Sequence, residues 1–231
     1  MTRPQFTKML VFVLFLNAYF GSFTQAQQSK KKQKRPNPAF AKITDDPKLP
    51  RVLLIGDSIS IGYTAAVRQD LKGKVNLHRI PVNGGPTTRG LESIDTWLGN
   101  KKWDVIHFNL GLHDLRYSQD KKQVSLDHYE KNLQSLVKRM KKTQAKLIWC
   151  ATTPVPEGVS PTRKDEEVLE YNQAAQRVMD QHDIPTNDLY AFAKKRLKKI
   201  QRPKNVHFTP EGSKILARPV AKAILAALKK H

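Results

Sequence analysis

Two residues of this chain could together open an acyl bond: the serine of Gly56-Asp57-Ser58-Ile59-Ser60 and the histidine of Asn205-Val206-His207-Phe208-Thr209-Pro210. A serine hydroxyl is a weak nucleophile until a base takes its proton, and a neutral imidazole suits that task near neutral pH. Ser58 follows the apolar run Val52-Leu53-Leu54-Ile55 and precedes a helical pattern. Such a strand-to-helix elbow puts the hydroxyl at a helix N-terminus, where unpaired N–H groups and the helix dipole favour negative charge. The serine's own N–H would face the oxyanion formed when Oγ attacks a carbonyl. Taken alone, the pattern is more often that of a serine capping a helix, and a lone histidine is more often structural.

Two further loops hold groups suited to the same chemistry. In Val82-Asn83-Gly84-Gly85-Pro86-Thr87-Thr88 the paired glycines let backbone approach a ligand and could offer a second oxyanion N–H, though in isolation the pattern is more often an ordinary turn. Asn109-Leu110-Gly111-Leu112-His113-Asp114 closes another apolar run. Asp57 and Asp114 are expected to brace these loops rather than to catalyse. The seven histidines show no i, i+4 pair around a glutamate, so no metal site is predicted.

These loops need elements to position them. Continuous apolar runs predict strands at Arg51–Ile55, Val75–Pro81, Val105–Leu110 and Lys146–Thr152, with a weaker one near Ile184–Asn187. Amphipathic segments predict helices at Ile59–Leu71, Thr88–Leu98, Leu126–Lys142, Lys164–Gln181, Asp188–Ile200 and Pro210–Leu228. Thr209 is the expected N-cap of the last helix, with Pro210 in its first turn. Alternating strands and helices imply a doubly wound α/β domain with a parallel sheet, whose chemistry belongs at the carboxyl ends of the strands.

In type and order, these segments resemble the blocks of the SGNH hydrolases, also called GDSL-like esterases. Gly56-Asp57-Ser58-Ile59-Ser60 with Gly62-Tyr63 is similar to their first block and Gly85-Pro86-Thr87-Thr88 to the second. Gly111-Leu112-His113-Asp114 is similar to the third, and His207 with Phe-Thr-Pro-Glu-Gly to the last. The resemblance runs from about Arg51 to Leu228. It implies a flavodoxin-like three-layer α/β/α sandwich with a five-stranded parallel sheet, and ester hydrolysis without metal or organic cofactor. It implies Ser58 as nucleophile, His207 as base, and the N–H groups of Ser58 and Gly85 as oxyanion donors.

The chain departs from the family pattern twice. The third block normally carries an asparagine whose amide is the last oxyanion donor. Here that position is His113, which still offers an N–H in either neutral tautomer. The last block normally has an aspartate three residues before the histidine, and here that position is Lys204. Lys204 is expected to face solvent, leaving a Ser–His dyad in which Asn205 or a backbone carbonyl orients His207. Asp188 is a weaker candidate for a relocated acid.

The 231 residues suit one domain, with 41 basic against 20 acidic residues and a net charge of +21. Arg3, Lys8, an apolar run from Met9 to Phe20 and Thr24-Gln25-Ala26 read as a signal peptide over 1–26, too short an apolar stretch to span a bilayer. Residues 27–50 read as a basic, flexible leader and 51–231 as the hydrolase domain. The product would be secreted or periplasmic, with no transmembrane segment after cleavage. The single cysteine, Cys150, has no internal disulfide partner and reads as a buried hydrophobe. The basic surface suits an anionic polysaccharide, and no nucleic-acid motif accompanies it. The sequence thus predicts a secreted serine esterase removing acyl groups, acetyl foremost, from a small molecule or glycan. A lipase-like or thioesterase activity, or a non-catalytic polyanion-binding descendant, stands as the alternative.

Overall fold

The computed structural model describes Met1 and residues 36–229. The expected signal segment beyond Met1, and the leader up to residue 35, lie outside the described residues. The elements follow as β1 (Arg51–Ile55), α1 (Ser58–Asp70), β2 (Asn76–Arg79), α2 (Thr87–Leu98), β3 (Val105–Phe108), β4 (Tyr117–Ser118) and β5 (Lys121–Lys122). After these come α3 (Leu126–Lys141), β6 (Lys146–Cys150), α4 (Asp165–Gln181), β7 (Thr186–Asn187), α5 (Leu189–Lys194), α6 (Leu197–Ile200) and α7 (Pro210–Lys229).

Five strands form one parallel sheet in the order β2-β1-β3-β6-β7, with Val52 beside Val105 and Val105 beside Lys146. Val52 to Ile55 and Val105 to Phe108 are each buried on both faces, which is why they are apolar but for His107, whose Nε2 meets the Asn187 side chain at 3.1 Å. α1 packs on α7, while α2, α3 and α4 pack in succession, so helices cover the sheet on either side. Truncating a residue such as Ile55, 2% exposed, to alanine would cost about 2–5 kcal/mol. The order 2-1-3 places the topological switch between β1 and β3, and their carboxyl ends carry the loops that begin at Gly56 and Asn109.

Three sequence expectations need correction. Residues 36–50 are not a flexible leader but part of the domain. Asn37 Oδ1 accepts the Ala39 N–H at 2.9 Å to start a 3₁₀ turn at Pro38–Phe40, and Ala39 is buried. Arg68 donates to the Pro38 carbonyl at 2.6 Å, Asp45 pairs with Arg51 and His78, and Asn76 donates to the carbonyls of Asp46 and Leu49. Four of these contacts reach partners 27 to 33 residues along the chain, so local composition gave no sign of them. The single helix expected over Asp188–Ile200 is broken into α5 and α6. The β4–β5 hairpin was not expected at all. Its turn residues, Gln119 and Asp120, take φ of 51° and 59°, the backbone of a two-residue hairpin turn without its usual Asn-Gly signal.

Candidate active site

Ser58 is the first residue of α1, and the cap is its neighbour: Asp57 Oδ1 accepts the Ile59 N–H at 2.9 Å. The reading of Ser58 as a helix cap therefore falls, because a buried aspartate does that work and frees the serine hydroxyl. The Ser58 N–H makes no hydrogen bond among the described residues. An open donor at a helix N-terminus is suited to meet negative charge.

Arg79, at the carboxyl end of β2, holds this elbow to the next loop. Its guanidinium donates to the carbonyls of Gly56 and Asp57 at 2.9 and 3.1 Å and to Ser60 Oγ at 2.9 Å. It also donates to the carbonyls of Ile80 and Val82, both at 2.7 Å. Burial pulls Arg79 down to about 10, and the nearby Tyr63 and Asp57 work in the opposite direction. The sequence reading missed Arg79. Its one signal was an arginine inside a segment otherwise expected to be apolar strand.

His207 comes from the loop before α7, and its ring reaches Ser58: Nε2 lies 2.9 Å from Ser58 Oγ. On the other side, Nδ1 lies 2.7 Å from Asn205 Oδ1. The same amide oxygen accepts the His207 backbone N–H at 2.9 Å, which fixes it as the acceptor end of the amide. Nδ1 must then carry the ring proton, and Nε2 keeps a lone pair facing the serine. Partial burial lowers the His207 pKa, Arg202 and Arg163 lower it further, and Asp57 raises it. Asp188, the acid weighed from the sequence, caps α5 by accepting the Ala191 N–H, and Lys204, at the family's usual aspartate position, is exposed beside Gly158. Neither bonds to His207.

The loop after β2 is docked on the elbow by the Gly84 N–H, which donates to the Gly56 carbonyl at 3.0 Å. A Cβ on Gly84 would lie 2.9 Å from that same oxygen, so no larger residue fits without displacing backbone. Gly85 follows with φ of 66°, and its N–H donates to Asn83 Oδ1 at 3.0 Å. The donor expected at Gly85 is therefore engaged in the free protein, and the Asn83 amide must swing aside before an oxyanion can take its place.

His113 lies in the turn after β3, half-buried, and its side chain has no hydrogen bond among the described residues. Its pKa is lowered by burial, with Arg163, Arg116 and His207 adding to the effect and Asp57 opposing it. A neutral imidazole with a free N–H follows. Asp114, fully buried, accepts from the Thr87 N–H at 2.9 Å and from the Thr87 hydroxyl, tying this turn to the start of α2. It is a brace, as its position in the sequence suggested. Asn109 donates to the Cys150 carbonyl and joins the ends of β3 and β6.

Ser58 and His207 open onto a surface cleft whose wall includes Asn37, Pro38, Arg202 and Phe208. Asn37 and Pro38 belong to the segment expected to be disordered, so the sequence reading did not include them in the site. Cys150 is buried, and burial pushes its thiol well above the usual range.

Several solved structures share this arrangement of sheet and helices. An acetyl xylan esterase, AlAXEase, superposes with a TM-score of 0.65 at 19% identity, covering 75% of this chain and 99% of its own. A lipase/acylhydrolase from Enterococcus faecalis gives 0.68 at 21% identity, with 77% and 96% covered. An acetyl xylan esterase from Geobacillus stearothermophilus gives 0.64 at 20% identity, with 76% and 94% covered. No match is found among the curated proteins. At these identities the likeness is one of fold. The family model for the GDSL-like lipase/acylhydrolase family matches residues 54–215, from β1 to α7, and the chain belongs to that family.

Proposed function

We propose that this protein is an exported serine esterase that removes acyl groups, acetyl foremost, from a carbohydrate acceptor. The observation that carries the reading is the line Ser58 Oγ, His207 Nε2, His207 Nδ1, Asn205 Oδ1, with steps of 2.9 and 2.7 Å across its two hydrogen bonds. A nucleophile, a base with its lone pair turned to it, and an orienting group form the minimum for acyl transfer. The acetyl xylan esterases among the similar folds favour an acetyl ester of a sugar. Export rests on the charged and apolar pattern of residues 1–26.

In the proposed reaction Ser58 Oγ bonds to the ester carbonyl carbon while its proton passes to His207 Nε2. The carbonyl electrons move onto oxygen, which the Ser58 N–H and His113 receive, with Gly85 joining once Asn83 releases it. The C–O bond to the alcohol then breaks, and the alcohol leaves with the proton from His207. Water repeats the sequence on acyl-Ser58: its proton goes to His207, its oxygen bonds to carbon, and Ser58 departs reprotonated. The products are a carboxylic acid and an alcohol. Asn205 holds the ring but, being neutral, gives the imidazolium less support than a carboxylate would.

A fluorophosphonate probe should label wild type at Ser58 and leave Ser58→Ala unlabelled. A nitrophenyl ester series from acetyl to octanoyl should be hydrolysed by wild type with acetyl preferred. Turnover that survives Ser58→Ala would overturn the reading, and so would a folded wild type that is neither labelled nor active.

A further inference from the structure

Two arginines flank the candidate oxyanion histidine and have no carboxylate partner. Arg163 is 8% exposed, and its Nε donates to the Leu112 carbonyl at 2.7 Å while Nη1 donates to the Pro161 carbonyl at 3.1 Å. Both acceptors are neutral. Arg116 stands at the other end of the same turn, its N–H bonded to the His113 carbonyl at 3.3 Å. Among the described residues its side chain makes no hydrogen bond, and its Nε is buried without an acceptor. The Tyr117 N–H donates to the Thr162 carbonyl at 3.0 Å, which lays the Arg116 segment against the Arg163 segment.

A buried guanidinium normally has a carboxylate or phosphate to meet it, since desolvating the charge alone is costly. Here neither arginine is in an ion pair among the described residues, although surface arginines such as Arg51, Arg139 and Arg177 are. Arg202, on the cleft wall beside His207, is also without an ion pair. The carboxylate whose charge reaches Arg163 is Asp57, and its Oδ1 is bound to the start of α1. The charges of Arg163 and Arg116 act on His113, and that of Arg163 on His207 as well, while Arg163 is fixed in direction by two backbone carbonyls. A planar fork held in place is suited to receive an oxyanion in bidentate fashion.

Resting on the esterase reading, we propose that Arg116 and Arg163 form an anion subsite that selects acyl esters carried on acidic sugars, those with a carboxylate or sulfate group. The acidic group docks beside His113 while the ester reaches Ser58, so the subsite sets which acceptor is deacylated rather than the chemistry itself.

Binding separates this proposal from the esterase reading, because it does not require turnover. The Ser58→Ala protein is titrated with oligogalacturonate, a sulfated oligosaccharide and a neutral xylo-oligosaccharide of matched length. The expected result is binding of one or both acidic probes at least about tenfold tighter than the neutral one. Adding Arg116→Gln and Arg163→Gln should remove that preference, while Lys199→Gln with Lys222→Gln, on the basic face between α6 and α7, should leave it intact. For folded, active enzyme, the kcat/KM ratio of acetylated oligogalacturonate over acetylated xylo-oligosaccharide should fall about tenfold in Arg116→Gln, with general losses of activity cancelling in the ratio. Equal affinity for acidic and neutral probes overturns the proposal. So does a preference that survives the arginine pair but is lost with the two lysines.

Discussion

The imidazole of His207 is held by Asn205, two residues upstream, through Nδ1 to Oδ1 at 2.7 Å, and that one oxygen also accepts the His207 backbone N–H at 2.9 Å. A short local loop thus does the orienting that a separate acid would do elsewhere. Asn205→Ala should lower kcat on an acetyl ester by on the order of 10²-fold with KM little changed. Asn205→Asp should do the reverse. The carboxylate keeps the tautomer and favours imidazolium, so kcat on the alkaline plateau rises and the acid limb of the pH profile moves to higher pH. An inert Asn205→Ala would show that the contact is incidental.

The acid limb itself should lie below the ordinary histidine value of 6.5, because burial together with Arg202 and Arg163 lowers the His207 pKa. Activity falls as pH drops through that value, since protonated Nε2 cannot accept from Ser58. Arg202→Gln removes a positive charge, raises the His207 pKa and shifts the limb to higher pH. A kcat/KM profile of wild type and variant checks both the position and the direction.

His113 stands where a side-chain amide is expected in this family; burial lowers its pKa, and its ring has no hydrogen bond among the described residues. If it receives the oxyanion, His113→Ala should reduce kcat by roughly 10²–10³-fold, and His113→Asn should recover much of the loss. Rescue by asparagine is the informative arm, since a histidine needed only for packing would not be replaced by a smaller amide.

Arg79 makes five hydrogen bonds that join the Ser58 elbow to the loop bearing Gly84 and Gly85. Arg79→Met keeps much of the stem but strands the acceptors, and should cost about 3 kcal/mol in denaturant unfolding. In the variant that still folds, kcat should fall further than KM rises, because the clamp positions Ser58 without touching substrate.

Burial pushes the Asp114 carboxyl up to about 7, against hydrogen bonds from Thr87 that favour ionisation. Between the ordinary carboxylate value and about 7 the folded protein binds a proton that the unfolded chain has lost. Stability should therefore decline as pH rises across that window, by at most about 1.4 kcal/mol per pH unit from this group. Asp114→Asn, which can still accept from Thr87, should flatten that part of the Tm-against-pH curve.

Local pattern determined much of this protein. Apolar runs marked β1, β3 and β6 because a strand covered on both faces is mostly apolar, and Thr209-Pro210 marked the start of α7, where Thr209 Oγ1 accepts the Gly212 N–H at 2.9 Å. The runs at β1 and β3 led to the loops of Ser58 and His113, since parallel strands deliver their following loops to one edge of the sheet, and the resemblance to the family blocks added Gly85 and His207. What needed the tertiary structure were the choices made by partners distant in sequence. Asn205 stood beside a backbone carbonyl and Asp188 as a candidate until the ring's position selected it. Arg79 was one more residue of an expected strand until five acceptors converged on it. Residues 36–50 read as leader because their anchors, Arg68, Asn76 and His78, lie in other elements. The engagement of Gly85 by Asn83, and the unpaired charges of Arg116 and Arg163 beside His113, depend on distances between loops. Periodicity records which face of an element is covered, but a hydrogen bond or an ion pair depends on where two side chains end in space, and only the folded chain decides that.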